Sequence, residues 1–312
     1  MRRCIWCIAV ALLSACGAQA STIEQPRTTI AVVASRSCGA SPDTSLSGVA
    51  AVTDGGVVRV WSTAGLGEFF ELPVVGDDPK SPPTEGDGTY VESVAVVPGT
   101  CAVFVGLCCE PASGLTKWFA TPETEPVSLF GRLPAVSPDG ARIALVGYGQ
   151  LLVTSVDTPD EEGLTIALPA SDGFTVVDMV WLDSDRLVLL VEGERGTQLQ
   201  TVVVSEGAFR QRVLVDAKSD WSTTGVTGVA LIGISRGDLL LGSISGGVNV
   251  IDRRDAATLE SVGREKPFYT TYRWIRRVKS HTVFISSEGF LSAMKDGDED
   301  PTPIGTKYFW AG

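Results

Sequence analysis

The 312-residue chain contains a single histidine, His281, and three methionines, and aromatic residues make up only 7% of it. One histidine excludes the multi-histidine zinc and two-metal centres, so neither a metal nor a cofactor is expected. Positive charge is scarce: 25 Lys and Arg stand against 37 Asp and Glu, a net charge of −12. A nucleic-acid binder needs a dominant basic surface, so that class is excluded as a partner. No stretch of about 20 apolar residues long enough for a helical span is present. No segment carries a clean i, i+3, i+4, i+7 stripe, so long amphipathic helices are not expected either. What is abundant is glycine, 34 residues, with 17 prolines, set between short runs of Val, Leu, Ile and Thr. An apolar content of 44% is ordinary for a chain that folds around a core.

The first residues read as an export signal. Arg2 and Arg3 precede a nine-residue apolar stretch, Ile5 to Leu13. That is too short to cross a bilayer and fits the apolar region of a signal peptide. Leu13-Ser14-Ala15-Cys16 comes next, and it resembles the bacterial lipobox. The resemblance implies cleavage before Cys16 and a diacylglyceryl thioether on its sulfur. Two or three acyl chains, at about 0.8 kcal/mol per buried CH₂, would hold the protein on a bacterial membrane. The alternative is an ordinary secretory signal cut after Ala20. The expected organisation is a signal peptide over 1–15, a lipidated Cys16 with a polar tether over 16–27, and one folded domain over 28–312.

The body repeats. Its clearest unit is Pro134 to Leu145, in which one strand enters, Ser137-Pro138-Asp139-Gly140 turns, and an apolar strand leaves. Proline presets φ at the second turn position, and Asp and Gly tolerate the backbone conformations of the third and fourth. Weaker copies occur at Ser41-Pro42-Asp43-Thr44, Val97-Pro98-Gly99-Thr100, Leu182-Asp183-Ser184-Asp185, Ile234-Ser235-Arg236-Gly237 and Val278-Lys279-Ser280. A second, mostly glycine-bearing reversal comes after each apolar strand, as tight hairpins require. Third and fourth strands then mix in polar residues. The unit is thus about 45 residues and four strands. The fold class expected is all-β, a β-propeller of six four-stranded blades, with seven blades or a β-sandwich as alternatives. Thr29 to Ala34 is expected to open the first unit. Thr306 to Trp310 is expected to close the ring as its last outer strand, unless the N-terminal strand crosses over to do so.

These residues carry a resemblance. The hairpin centred on Ser137-Pro138-Asp139-Gly140 resembles the WD40-like (PD40) repeat of TolB-type periplasmic propellers and of propeller domains in actinobacterial lipoproteins. It implies protein–protein contact in the cell envelope without chemistry.

Four cysteines lie beyond the signal region: Cys38, Cys101, Cys108 and Cys109. Outside the cytoplasm they can pair in three ways. Cys38–Cys101 is favoured, because both fall at first-hairpin turns of adjacent units. Reduced, buried thiols are the alternative. Among candidate chemistry, Gly233-Ile234-Ser235-Arg236-Gly237 matches G-x-S-x-G. The apolar run after it reads as a strand, so a plain hairpin turn is favoured over a nucleophile elbow. His281 occupies the corresponding turn of the next unit, which leaves Ser235 and His281 as the weak catalytic candidates. Asp296 to Asp300 is acidic but lacks the glycine and distal glutamate of an EF-hand loop. Lys266 to Lys279 is the one basic, aromatic cluster in an acidic chain. Tyr269, Arg273 and Arg277 within it are candidates for an acidic or anionic ligand. Trp221, in a loop on the face opposite the Ser-Pro-Asp-Gly turns, is a candidate partner anchor. The expectation is an extracytoplasmic, membrane-anchored binding scaffold, not an enzyme. A propeller hydrolase, lactonase or cyclase with a site in the central channel is the alternative.

Overall fold

Alternation within the apolar runs dictates how the sheets pack. In the segment Arg186–Gly193, Leu187, Leu189 and Val191 enter one buried cluster, while Val188 and Leu190 enter another. In Arg142–Gly147, Ala144 and Val146 face one seam and Ile143 and Leu145 the opposite one. Successive strand residues point to opposite faces, so an uninterrupted apolar run demands cover on both. Each buried leucine is worth about 2–3 kcal/mol of transfer free energy.

The computed structural model describes residues 48–53, 57–62, 65–73, 90–97, 100, 102–108, 114–121, 124–168, 175–193, 196–215, 228–245, 248–268, 272–278, 281–286, 290–295, 298, 300–305 and 308–311. The chain divides into two units, Met1–Ser35 and Arg36–Gly312, and all described residues belong to the second. They form 24 strands in six four-stranded antiparallel sheets.

Five sheets are meanders of consecutive strands. These are β4 (Tyr90–Val96), β5 (Val103–Cys108), β6 (Leu115–Phe119) and β7 (Val127–Phe130); β8 (Arg132–Val136), β9 (Arg142–Gly147), β10 (Gln150–Ser155) and β11 (Leu164–Ala167); β12 (Thr175–Trp181), β13 (Arg186–Gly193), β14 (Gly196–Val203) and β15 (Ala208–Leu214); β16 (Gly228–Ser235), β17 (Asp238–Ser245), β18 (Val248–Asp255) and β19 (Ser261–Phe268); and β20 (Tyr272–Val278), β21 (His281–Ser286), β22 (Leu291–Lys295) and β23 (Thr302–Gly305). The remaining sheet joins the chain's last strand to its first three described ones. It runs β24 (Tyr308–Ala311), β1 (Gly48–Thr53), β2 (Val57–Ser62), β3 (Gly65–Pro73).

The first strand of each sheet touches the first strand of the next. The circuit runs β4, β8, β12, β16, β20, β24 and returns to β4. This is a β-propeller with four-stranded blades. One expectation is corrected: the C-terminal segment is not an outer strand. Tyr308–Ala311 is the innermost strand of its sheet, pairing β1 through Ala51↔Ala311 and Val52↔Trp310. Placed there it contacts both neighbouring innermost strands, which an outer strand could not do. It takes the place expected for Thr29 to Ala34, a stretch outside the described residues.

The turns obey their chemistry. In Ser137–Gly140 the Ser137 hydroxyl donates to Asp139 Oδ1 at 2.5 Å, and the Gly140 amide donates to the Ser137 carbonyl at 2.8 Å. Val97–Thr100 repeats the last bond, from the Thr100 amide to the Val97 carbonyl at 3.2 Å. Arg236 and Gly237 connect paired Ser235 and Asp238 with φ of 52° and 87°, and Tyr148 and Gly149 connect paired Gly147 and Gln150 with 45° and 70°. Positive φ at both positions is the type I′ hairpin, whose twist matches the flanking strands.

Candidate functional site

Every innermost strand carries a β-bulge against its partner. The pairing register shifts between Val91 and Ser93, Arg132 and Ala135, Val176 and Asp178, Leu231 and Gly233, and Tyr272 and Trp274. In the sheet holding β24 it skips Phe309. A bulge adds a residue to one strand, bends it and re-aims its side chains. The extra residues include Glu92, Val177, Ile232 and Arg273, so corresponding levels of the ring carry different chemistry.

Charges on neighbouring innermost strands are tied together at these bulges. The Arg132 guanidinium forms an ion pair with Glu92 Oε1 of the preceding blade. Its other terminal nitrogen donates to the Val176 carbonyl of the following blade at 3.1 Å. Asp178 accepts from the Met179 amide at 2.9 Å and from the Leu231 amide, one blade on, at 3.3 Å. Burial holds the Glu92 carboxyl above its ordinary range; the Arg132 charge and hydrogen bond oppose this, and Asp178 adds to it. Glu92 Oε2 is buried without a hydrogen-bond partner. Arg277 donates to Thr282 Oγ1 at 3.1 Å, and a Cβ at Gly233 would come within 2.9 Å of its Cβ, so its stem lies against the preceding blade's innermost strand.

An aromatic pair stands two residues from this network. Phe130 ends β7 and Tyr148 sits in the β9–β10 turn, on the face opposite the Ser137–Gly140 turn. Their rings stack with centroids 4.5 Å apart at 22°, and they are 43% and 69% exposed. A Cβ at Gly147 would lie 2.7 Å from the Phe130 ring, so glycine there lets the ring lie over the backbone. Neither residue is an expectation of the sequence; a strand-ending Phe and a Tyr in a glycine turn carry no motif.

The candidates from the sequence lie in several places. Ser235 ends β16 and His281 begins β21, both half-buried at first-hairpin tips of adjacent blades. Gly233 to Gly237 is strand–turn–strand, because β17 begins directly after it, and not the strand–turn–helix that exposes a nucleophile. Arg273 takes the bulge position of β20. Cys16, Cys38, Cys101, Cys109, Trp221 and Tyr269 lie outside the described residues. Among the described residues no group of three His, Cys, Asp or Glu side chains could hold a metal ion. Also among them, no helix is long and apolar enough to cross a membrane.

Fold and site together define a protein of the β-propeller class. The model of the lipoprotein LpqB β-propeller domain matches residues 132–218, a little over a quarter of the chain. No curated protein matches. Among solved structures, a chain of a mitotic checkpoint complex crystal structure is similar at 15% identity and TM-score 0.50, over 82% of this chain and 74% of that one. A chain of a nidogen/laminin complex structure is similar at 11% identity and TM-score 0.50, over 85% and 97%. The β-propeller domain of Cps50 (Swd1) from Myceliophteria thermophila is similar at 12% identity and TM-score 0.45, over 71% and 72%. At such identities the likeness is one of fold.

Proposed function

We propose that this chain is a lipid-anchored, extracytoplasmic propeller of six blades that binds a protein partner or an anionic ligand in a bacterial envelope and carries out no catalysis. The anchor is the lipid on Cys16. The lipobox-like Leu13-Ser14-Ala15-Cys16 and the match to a lipoprotein propeller domain support it. The observation that carries the binding role is the contrast at the innermost strands. Glu92, Arg132 and Asp178 are committed to each other or to backbone across three blade seams, while two aromatic rings nearby are left in solvent. An enzyme needs ionisable groups converging on one reacting atom. A binding surface needs exposed rigid anchors. In this reading Arg273 and Arg277, with Tyr269, offer positive charge to an acidic ligand, Trp221 is a second anchor, and Cys38–Cys101 is a bridge between adjacent blades.

Crosslinking of the full chain in cells, with mass spectrometry of the products, tests the proposal. A reproducible envelope protein is expected. If none crosslinks, and Ser235→Ala or His281→Ala abolishes a measured turnover, the protein is an enzyme and the scaffold reading falls.

A further inference from the structure

We propose that β11, the outer strand of its blade, is a strand-addition site. An extended segment of a partner protein pairs with its free edge as a fifth, antiparallel strand. Lysine or arginine residues just C-terminal to the paired stretch lie beside Asp160, Glu161 and Glu162. This rests on the binding role above and names a site for it and the partner's chemistry.

The edge is bare and flat. The Leu168 amide donates to the Gly149 carbonyl at 2.8 Å, in the same register that pairs Gln150 with Ala167 and Leu152 with Thr165, and so extends the ladder beyond Ala167. Alternate residues of an antiparallel strand share one direction, so Leu164, Ile166 and Leu168 turn towards β10. Thr165 and Ala167 turn their N–H and C=O groups outwards. No strand of the blade can pair those four groups. Thr165 and Ala167 are exposed, and Leu164, 43% exposed, offers an apolar side chain to a neighbouring strand. Sheet edges are normally blunted by bulges, prolines or charged side chains. Among the other outer strands, β3, β15, β19 and β23 pair through bulges. β15 and β19 add basic side chains, and β19 and β23 add Pro267 and Pro303. β7 is unbulged, but its Phe130 is stacked on Tyr148 of the next blade. β11 has no proline, no charge and no bulge in its pairing with β10.

Charge selects the occupant and its direction. The loop that enters β11 carries Asp157, Asp160, Glu161 and Glu162, all exposed. Glu161 and Glu162 come directly before Gly163 and Leu164, which keeps their backbone within about 10 Å of the first residue of the strand. No lysine or arginine occurs from 143 to 185. The two arginines of the blade stand on its inner strands and are ion-paired, Arg132 with Glu92 and Arg142 with Asp185. In an antiparallel pair the C-terminal end of the incoming strand lies beside the N-terminal end of β11, and hence beside these acids. Main-chain hydrogen bonds hold such a segment, and the acids select one with cations at that end. A second copy of this chain brings a further −12 and the same acidic loop, so like charge opposes edge-to-edge pairing.

The test uses the purified full chain and a fluorescent peptide of alternating Thr and Val that ends in lysines, read by anisotropy. Control peptides carry the lysines at the amino end, or glutamates in their place. The Lys-ended peptide is expected to bind about tenfold more tightly than either. Thr165→Pro removes an outward N–H, leaves the bonds to β10 in place, and is expected to weaken binding about tenfold. Glu161→Lys with Glu162→Lys is expected to transfer the preference to the Glu-ended peptide. Thermal melts establish that each variant is folded. A fully N-methylated probe has no N–H to donate, tests the same pairing on the unaltered protein, and is expected not to bind. Failure of the Lys-ended probe to bind the wild type overturns the proposal, as does equal binding by wild type and Thr165→Pro. Equal binding of the probe with lysines at its amino end overturns it too. A self-association that Thr165→Pro dissolves, seen by sedimentation, also overturns it, since the occupant would be a second copy. In cells, a photocrosslinker at position 165 is expected to capture a protein through an extended segment followed by Lys or Arg. Capture from position 148 but not from position 165 sinks this site and leaves the binding role standing, whereas capture from neither sinks the binding role itself.

Discussion

The indole nitrogen of Trp181 on β12 donates to the carbonyl oxygen of Ala135 on β8 at 2.9 Å, a buried bond across the seam between adjacent blades. Trp181 is 3% exposed and packs in the same cluster as Leu187, Leu189 and Ala144. Trp181→Phe keeps most of the packing but removes the donor and part of the ring volume. A loss of about 1–3 kcal/mol is expected, measured by urea unfolding. An unchanged midpoint would mean that this seam does not limit stability.

Glu92 gives a pH signature. Its carboxyl lies above the ordinary value of about 4.3, chiefly through burial. The folded state therefore binds this proton more tightly than the unfolded chain does. Its contribution to stability is full below the ordinary value and is lost as pH rises through the raised one. Glu92→Gln abolishes that slope. The difference in melting temperature between variant and wild type should shift in the variant's favour as pH rises from about 4 to about 7. A pH-independent difference would contradict the burial argument.

The Ser137 turn predicts the opposite slope. Asp139 is held below the ordinary carboxylate range, first by the Ser137 hydroxyl and then by the Ala141 amide. Its contribution is present above about 3.9 and is lost as pH falls through the lowered value. Ser137 is fully buried and also accepts from the Arg142 amide at 2.9 Å. Ser137→Ala should cost about 1–2 kcal/mol at neutral pH and flatten the acid limb of the stability curve. Chemical denaturation across pH measures both.

Arg236 tests whether the G-x-S-x-G sequence is only a hairpin. Its φ of 52° is strained for arginine. Arg236→Asn or Arg236→Gly should be neutral or stabilise by up to about 1 kcal/mol. A marked loss on calorimetry would mean that the arginine has a role the turn does not explain.

Removal of the residues after Gly305 deletes β24. The β1 edge is then bare and contacts from β24 to β4 and β20 vanish. More than about 4 kcal/mol should be lost, with a broadened, less cooperative thermal transition. An intact sharp transition would mean that β24 does not close the ring.

The four-stranded repeat and its apolar second strands were legible in the sequence because they are local. A turn such as Ser137–Gly140 writes its own signature, and period-two alternation with no polar face in Ile143 to Val146 announces cover on both sides. Tertiary structure decided what no local pattern encodes. The bulges that put Glu92 and Arg273 at corresponding levels depend on pairing between strands, and an extra residue has no composition of its own. The position of Tyr308–Ala311 depends on the two ends of the chain meeting. The Phe130–Tyr148 stack joins two blades across Gly147. Sequence fixes what a segment prefers to be, and only closure of the ring fixes which neighbours it meets.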